Sequence, residues 1–139
     1  MTNAATHSRW IGVGALLGAV GVALGAFGAH GLSEALANMG HEGDDLARRV
    51  ANFETAVRYQ MYHALAIALV GLMHAQRPRK TWRFAASAFL FGVLLFSGLL
   101  YVLTFAGPSW KWLGAVVPLG GVSLIVGWLA LAIGACKNK

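Results

Sequence analysis

Hydrophobic positions in this chain do not alternate with polar ones; they run in four long blocks. Uncharged stretches of 24, 18, 27 and 25 residues separate Arg9 from Glu34, Arg58 from Arg77, Arg83 from Lys111, and Lys111 from Lys137. A helix needs roughly 20 apolar residues to cross about 30 Å of hydrocarbon. The pattern therefore predicts an all-α integral membrane bundle of four transmembrane helices. The spans fall at about 10–29, 56–75, 82–104 and 112–135, in one domain covering 1–139. In water, four all-apolar helices would leave large apolar faces uncovered.

Polar residues mark the connections. Pro78 interrupts the short basic link Gln76 to Thr81, and Gly107 and Pro108 break the chain between Phe105 and Lys111. Links this short make antiparallel neighbours of the spans they join. The first connection, Gly31 to Thr55, is longer and holds all five acids: Glu34, Glu42, Asp44, Asp45 and Glu54. Ser33 is placed to cap a short extra helix ending before Gly40. Asp44 can cap a second helix in which Leu46, Val50, Phe53 and Val57 recur at helical spacing. That helix either runs straight into the second span or bends along the membrane surface; the pattern leaves both open.

Charge sharpens this picture. Only 12% of residues are charged, against about 25% in soluble domains. The net charge of +6 sits at the ends of the apolar blocks, where cations anchor helices to lipid head groups. With no RNA-binding motif and no long basic helix, no nucleic acid is expected as a partner. Arg9, Arg77, Arg79, Lys80, Arg83, Lys137 and Lys139 fall on one side of a four-span topology, and Arg48, Arg49, Arg58 and Lys111 on the other. By the positive-inside rule both termini are cytoplasmic, with Trp10 and Trp82 at the inner interface and Trp110 and Trp112 at the outer one. The first block exceeds the 7–15 residues of a signal-peptide core, so it reads as an uncleaved span. A single cysteine, Cys136, allows no internal disulfide and no cysteine-based metal site.

Two features are candidates for function. Gly14, Gly18, Gly21, Gly25 and Gly28, spaced 4, 3, 4, 3, form a stripe on which another backbone can lie closely, which is how helices associate in lipid. Ala85, Ala88 and Gly92 in the third span, and Gly120, Gly127 and Gly134 in the fourth, offer matching surfaces in this chain or a second copy. The second feature is a polar set: His30, Glu54, Arg58, Gln60, Tyr62 and His63. On a helical wheel Glu54, Arg58 and Tyr62 share one face of the second span, while Gln60 and His63 share the other. Glu54 and Arg58 have the favourable i, i+4 order for an ion pair. Haem between facing histidines would need His30 opposite His63, which sit at different depths; His63 and His74 lie about 16 Å apart along one helix. No cofactor is expected.

The strings GALLGAVGVALGAFGAHGL (Gly14 to Leu32) and FETAVRYQMYHALAIAL (Phe53 to Leu69) resemble the YgdD-like family of small membrane proteins. So do Ser97–Gly98 and the PLGG element at Pro118 to Gly121, and the likeness covers essentially the whole chain. It implies a four-span protein of the bacterial inner membrane, related to a small eukaryotic transmembrane family, and it carries no established biochemical activity. The residues contain no nucleophile–base set, Walker loop, HExxH or paired carboxylates, so no enzyme is expected. The leading reading is a non-enzymatic packing or accessory subunit that docks through its glycine stripe, with membrane lipids and itself or another membrane protein as partners. The alternative is a small conduit or proton-coupled transporter using Glu54, Arg58, Tyr62 and His63. A lipid- or quinone-modifying enzyme finds no constellation to support it.

Overall fold

The computed structural model describes residues 3–136, and the side chains from Arg9 onward. Lys137 and Lys139, counted above for orientation, lie outside the described residues. Five α-helices follow in order: α1 (Asn3–His30), α2 (Leu32–Asn38), α3 (Gly43–Gln76), α4 (Lys80–Phe105) and α5 (Val117–Cys136). A 3₁₀ segment, Pro108–Ala115, joins α4 to α5, and no strand occurs among the described residues. Three stretches, Arg9–His30, Lys80–Phe105 and Pro108–Cys136, are long and apolar enough to cross a membrane. α3 is not among them. Arg58, Gln60, His63 and His74 dilute its apolar run.

The two expectations for the first connection resolve differently. α2 starts from Gly31 without a side-chain cap, and Ser33 stays exposed on its second residue. Its end is a Schellman turn: the amide of Gly40 donates to Ala37 O at 2.9 Å and that of His41 to Leu36 O at 3.1 Å. That turn needs a left-handed residue, and Gly40 supplies φ +85°. α3 then begins at Gly43, with Glu42 rather than Asp44 at the cap, and continues unbroken through the second apolar block.

Glycines set the close approaches. A Cβ at Gly14 would lie 2.7 Å from Ala64 O and Ala68 N, and one at Gly28 3.1 Å from the Phe53 ring. At Gly21 it would meet Met61 Sδ at 2.5 Å. Numbers rise along α1 as they fall along α3, so the two helices are antiparallel. This corrects two details of the stripe. Its partner is α3, not the third or fourth span, and the seam runs through the glycines seven residues apart, Gly14, Gly21 and Gly28. Gly18 faces open space, and Gly25 makes only ordinary contact with Val57. A four-residue step rotates about 40° past a full turn, whereas seven residues return to within about 20°.

α5 repeats the device against α4. A Cβ would lie 2.5 Å from Phe96 N at Gly120, 2.6 Å from the Phe89 ring at Gly127 and 2.6 Å from the Trp82 ring at Gly134. The helices therefore pack in the order α1, α3, α4, α5, each on the next, and α1 makes no substantial contact with α5. The main core joins Ile67 and Val70 of α3 to Ala86 and Phe89 of α4 and Leu124 of α5. A second core seats Leu32 and Leu36 of α2 on Phe53. Because α3 and α5 both lean on α4 without closing on each other, a cleft remains between them.

Candidate functional site

Polar groups inside an apolar bundle cost free energy unless bonded; here Gln60, His63 and Arg49 find partners, while Trp82 Nε1 and Ser97 Oγ, both on α4, are buried without one. Gln60 is 4% exposed. Its Nε2 donates to Leu17 O on α1 at 2.8 Å, while Tyr101 of α4 donates its hydroxyl to Oε1 at 2.9 Å. One side chain thus ties three helices together. His63 lies 2.7 Å from the carbonyl of Tyr59, so Nδ1 carries the proton and Nε2 is the acceptor. That acceptor takes the Trp128 indole N–H of α5 at 3.2 Å. A neutral His63 therefore bridges α3 to α5.

The third polar group is Arg49, 6% exposed. Its Nε donates to Asp45 Oδ2 at 2.8 Å, and its Nη1 reaches Thr104 O at 2.7 Å and Ala106 O at 3.1 Å. Those carbonyls end α4 and have no partner further along the helix, so the guanidinium caps them with charge of the favourable sign. Asp45 in turn receives Arg49, Arg48 and His41. Its carboxyl is held at about 2, first by the hydrogen bond from Arg49. Desolvation opposes that, while the charge of Arg49 and the bonds from Arg48 and His41 add to it.

Beside the His63–Trp128 bond lies the cleft between α3 and α5, with a volume of about 530 Å³. Tyr59, Tyr62 and His63 form one wall, Phe96 of α4 the floor, and Pro118, Gly121, Val122, Ile125 and Trp128 of α5 the other wall. The walls brace each other: the Tyr59 and Phe96 rings sit 4.6 Å apart, and Trp128 meets Phe89 edge-on at 5.0 Å.

The polar set singled out in the sequence is not one site. Tyr62 and His63 share the cleft, although the helical wheel separated them. Gln60 turns away toward α1 and α4. Glu54 and Arg58 are exposed at a shallow depression beside Gly25 and Gly28, and no ion pair joins them. The reason is geometric: on the exposed side of α3 each can extend outward without meeting the other. His30 is exposed at the end of α1. Among the described residues no group of three His, Cys, Asp or Glu side chains could hold a metal. Sequence reading missed Arg49, Trp128 and Tyr101. The Asp45–Arg49 spacing of four was a usable signal for the first, and a mid-span tryptophan whose N–H must find an acceptor was one for the second.

Comparison with known proteins places this architecture. A family model described as a protein of unknown function (DUF423) matches residues 24–121. A UPF0382 membrane protein of Haemophilus influenzae is 39% identical over 133 residues, which is 95% of this chain and 97% of the relative. The chain belongs to the UPF0382 family. UPF0382 relatives extend to Bacillus subtilis, whose UPF0382 membrane protein YwdK is 36% identical over 90% of this chain and 94% of its own length. The UPF0382 inner membrane protein YgdD of Escherichia coli is 39% identical over 90% of this chain and 87% of its own. No solved structure matches. With three helices of membrane-crossing length and relatives named membrane proteins, this UPF0382 member is a transmembrane protein.

Proposed function

We propose that the chain is a four-span protein of the bacterial inner membrane, both termini cytoplasmic, acting as a non-enzymatic accessory subunit that holds a lipophilic molecule in the cleft between α3 and α5. α3 supplies the fourth crossing. It is as long as its neighbours, and its buried polar groups are bonded within the bundle, which removes their cost in hydrocarbon. The orientation rests on the cation count. A cysteine introduced at Gly43 should react with membrane-impermeant maleimide in spheroplasts, and labelling only in inverted vesicles would reverse it.

The observation that carries the binding role is the cleft: aromatic, open to the lipid side, and with the polar edges of His63 and Trp128 satisfied by each other. Its volume suits one hydrocarbon chain or a small ring system. A further helix, about 30 Å long and 10–12 Å across, has a volume on the order of 3,000 Å³ and cannot enter. The glycine seam of α1 is not free for docking, because α3 covers Gly14, Gly21 and Gly28. The conduit reading finds no support in the geometry: its charged pair is apart, and the acceptor nitrogen of His63 is occupied by Trp128.

Native mass spectrometry of protein extracted in mild detergent tests the reading. The wild type should retain about one lipophile per chain. Gly121→Leu and Ile125→Trp, which fill the cleft from α5, should lose it at unchanged melting temperature. Equal retention by all three proteins, or none by the wild type, would sink the proposal.

A further inference from the structure

At the end of the bundle opposite the termini, the start of α3 meets the end of α4 and the 3₁₀ segment around a pocket of about 250 Å³. Arg48, Arg49, Asn52 and Lys111 line it together with Ala106 and Gly107, and no acid does. Three cations in one small recess are unusual in a chain with eleven Lys and Arg in all. The nearby carboxylate, Asp45, faces Arg48, Arg49 and His41 and is taken up by them. The other negative feature, the carbonyl end of α4, is covered by Nη1 of Arg49. What remains is uncommitted donor capacity. Among the described residues Arg49 Nη2 makes no hydrogen bond and Lys111 forms no ion pair, and Arg48 is largely exposed beyond its one bond to Asp45.

We propose that this pocket binds a phosphate group, the headgroup phosphate of a membrane lipid. Two guanidinium groups and an ammonium around one recess match the several oxygens and the charge of a phosphate better than a single carboxylate. Buried Arg49 is held in place by four bonds, so one donor is fixed before the ligand arrives. The position favours lipid over soluble phosphate. The apolar helices α4 and α5 end here, and the exposed Trp110 and Trp112 mark the depth of head groups in a transmembrane protein. The assignment stands apart from the cleft reading, since it uses different residues.

The test measures thermal unfolding of the full-length protein in detergent against added dioleoyl phosphatidylglycerol, dioleoylglycerol or inorganic phosphate. Phosphatidylglycerol should raise the melting temperature in a saturable manner; with the cleft filled by Gly121→Leu, dioleoylglycerol, which lacks phosphate, should not. Arg48→Gln combined with Lys111→Gln removes two exposed cations and leaves Arg49 in place, and should weaken the response about tenfold. Gly121→Leu should leave it intact, which separates this site from the cleft. A matching response to inorganic phosphate at comparable concentration would move the ligand from lipid to the soluble anion and overturn the lipid assignment. An equal response to dioleoylglycerol with the cleft filled by Gly121→Leu, or an undiminished response to phosphatidylglycerol in the double variant, would overturn the site.

Discussion

Arg49→Ala should destabilise the folded protein by about 2–4 kcal/mol. The cost comes from the partners left behind. Thr104 O and Ala106 O lose the donor that ends α4, and bonds to a charged group contribute roughly 1.5–3 kcal/mol each before rehydration offsets part of the loss. The weaker approach to Leu103 O, at 3.4 Å, adds little. Asp45 loses less, because it is accessible to water and keeps Arg48 and His41. Arg49→Lys should recover part of the stability, since one ammonium can reach one or two carbonyls but cannot span both Asp45 and α4. Arg48→Ala is the control: its ion pair is exposed and should be worth under about 1 kcal/mol. Equilibrium unfolding in mixed micelles, followed by tryptophan fluorescence, checks the series. Equal midpoints for Arg49→Ala and Arg48→Ala would show that the α4 terminus does not depend on Arg49.

The second large effect is a contrast of sign within one helix. Gly14→Ala should cost about 1–3 kcal/mol, the usual penalty of overpacking, because its new methyl would strike the backbone of α3 at Ala64 and Ala68. Backbone cannot swing aside, so α1 must move away and loosen the seam. Gly18→Ala, one turn on, adds its methyl to open space. It should be neutral or stabilising by up to about 1 kcal/mol, since alanine restricts the unfolded chain and favours helix. Gly21→Ala should fall between them. Its clash is with the thioether of Met61, a flexible side chain that can rotate. The same unfolding assay decides. Similar midpoints for Gly14→Ala and Gly18→Ala would mean that α1 and α3 are not held by close approach at Gly14.

Lipid makes some properties of this chain readable from composition alone. The long uncharged blocks establish a helical membrane protein, because only helices and closed barrels satisfy every backbone group in hydrocarbon. Short links with Pro78 or Gly107 and Pro108 establish antiparallel neighbours. A heptad of glycines announces a close contact wherever it occurs, because it is a local property of one helix.

What the sequence could not supply is the identity of the neighbour. The α1 seam meets α3, and the α5 glycines meet α4, since both choices depend on how all the helices share one core. The same limit applies to charge and polarity. Arg49 looks like any other interfacial cation, and only its approach to carbonyls more than fifty residues away turns it into a helix cap. Glu54 and Arg58 have the spacing of a pair and do not form one, whereas Gln60 and His63 find partners on α1, α4 and α5. The cleft belongs to no segment at all. It exists because α3 and α5 both lean on α4 and meet each other only through side chains such as His63 and Trp128, a property of three helices together that no stretch of sequence carries by itself.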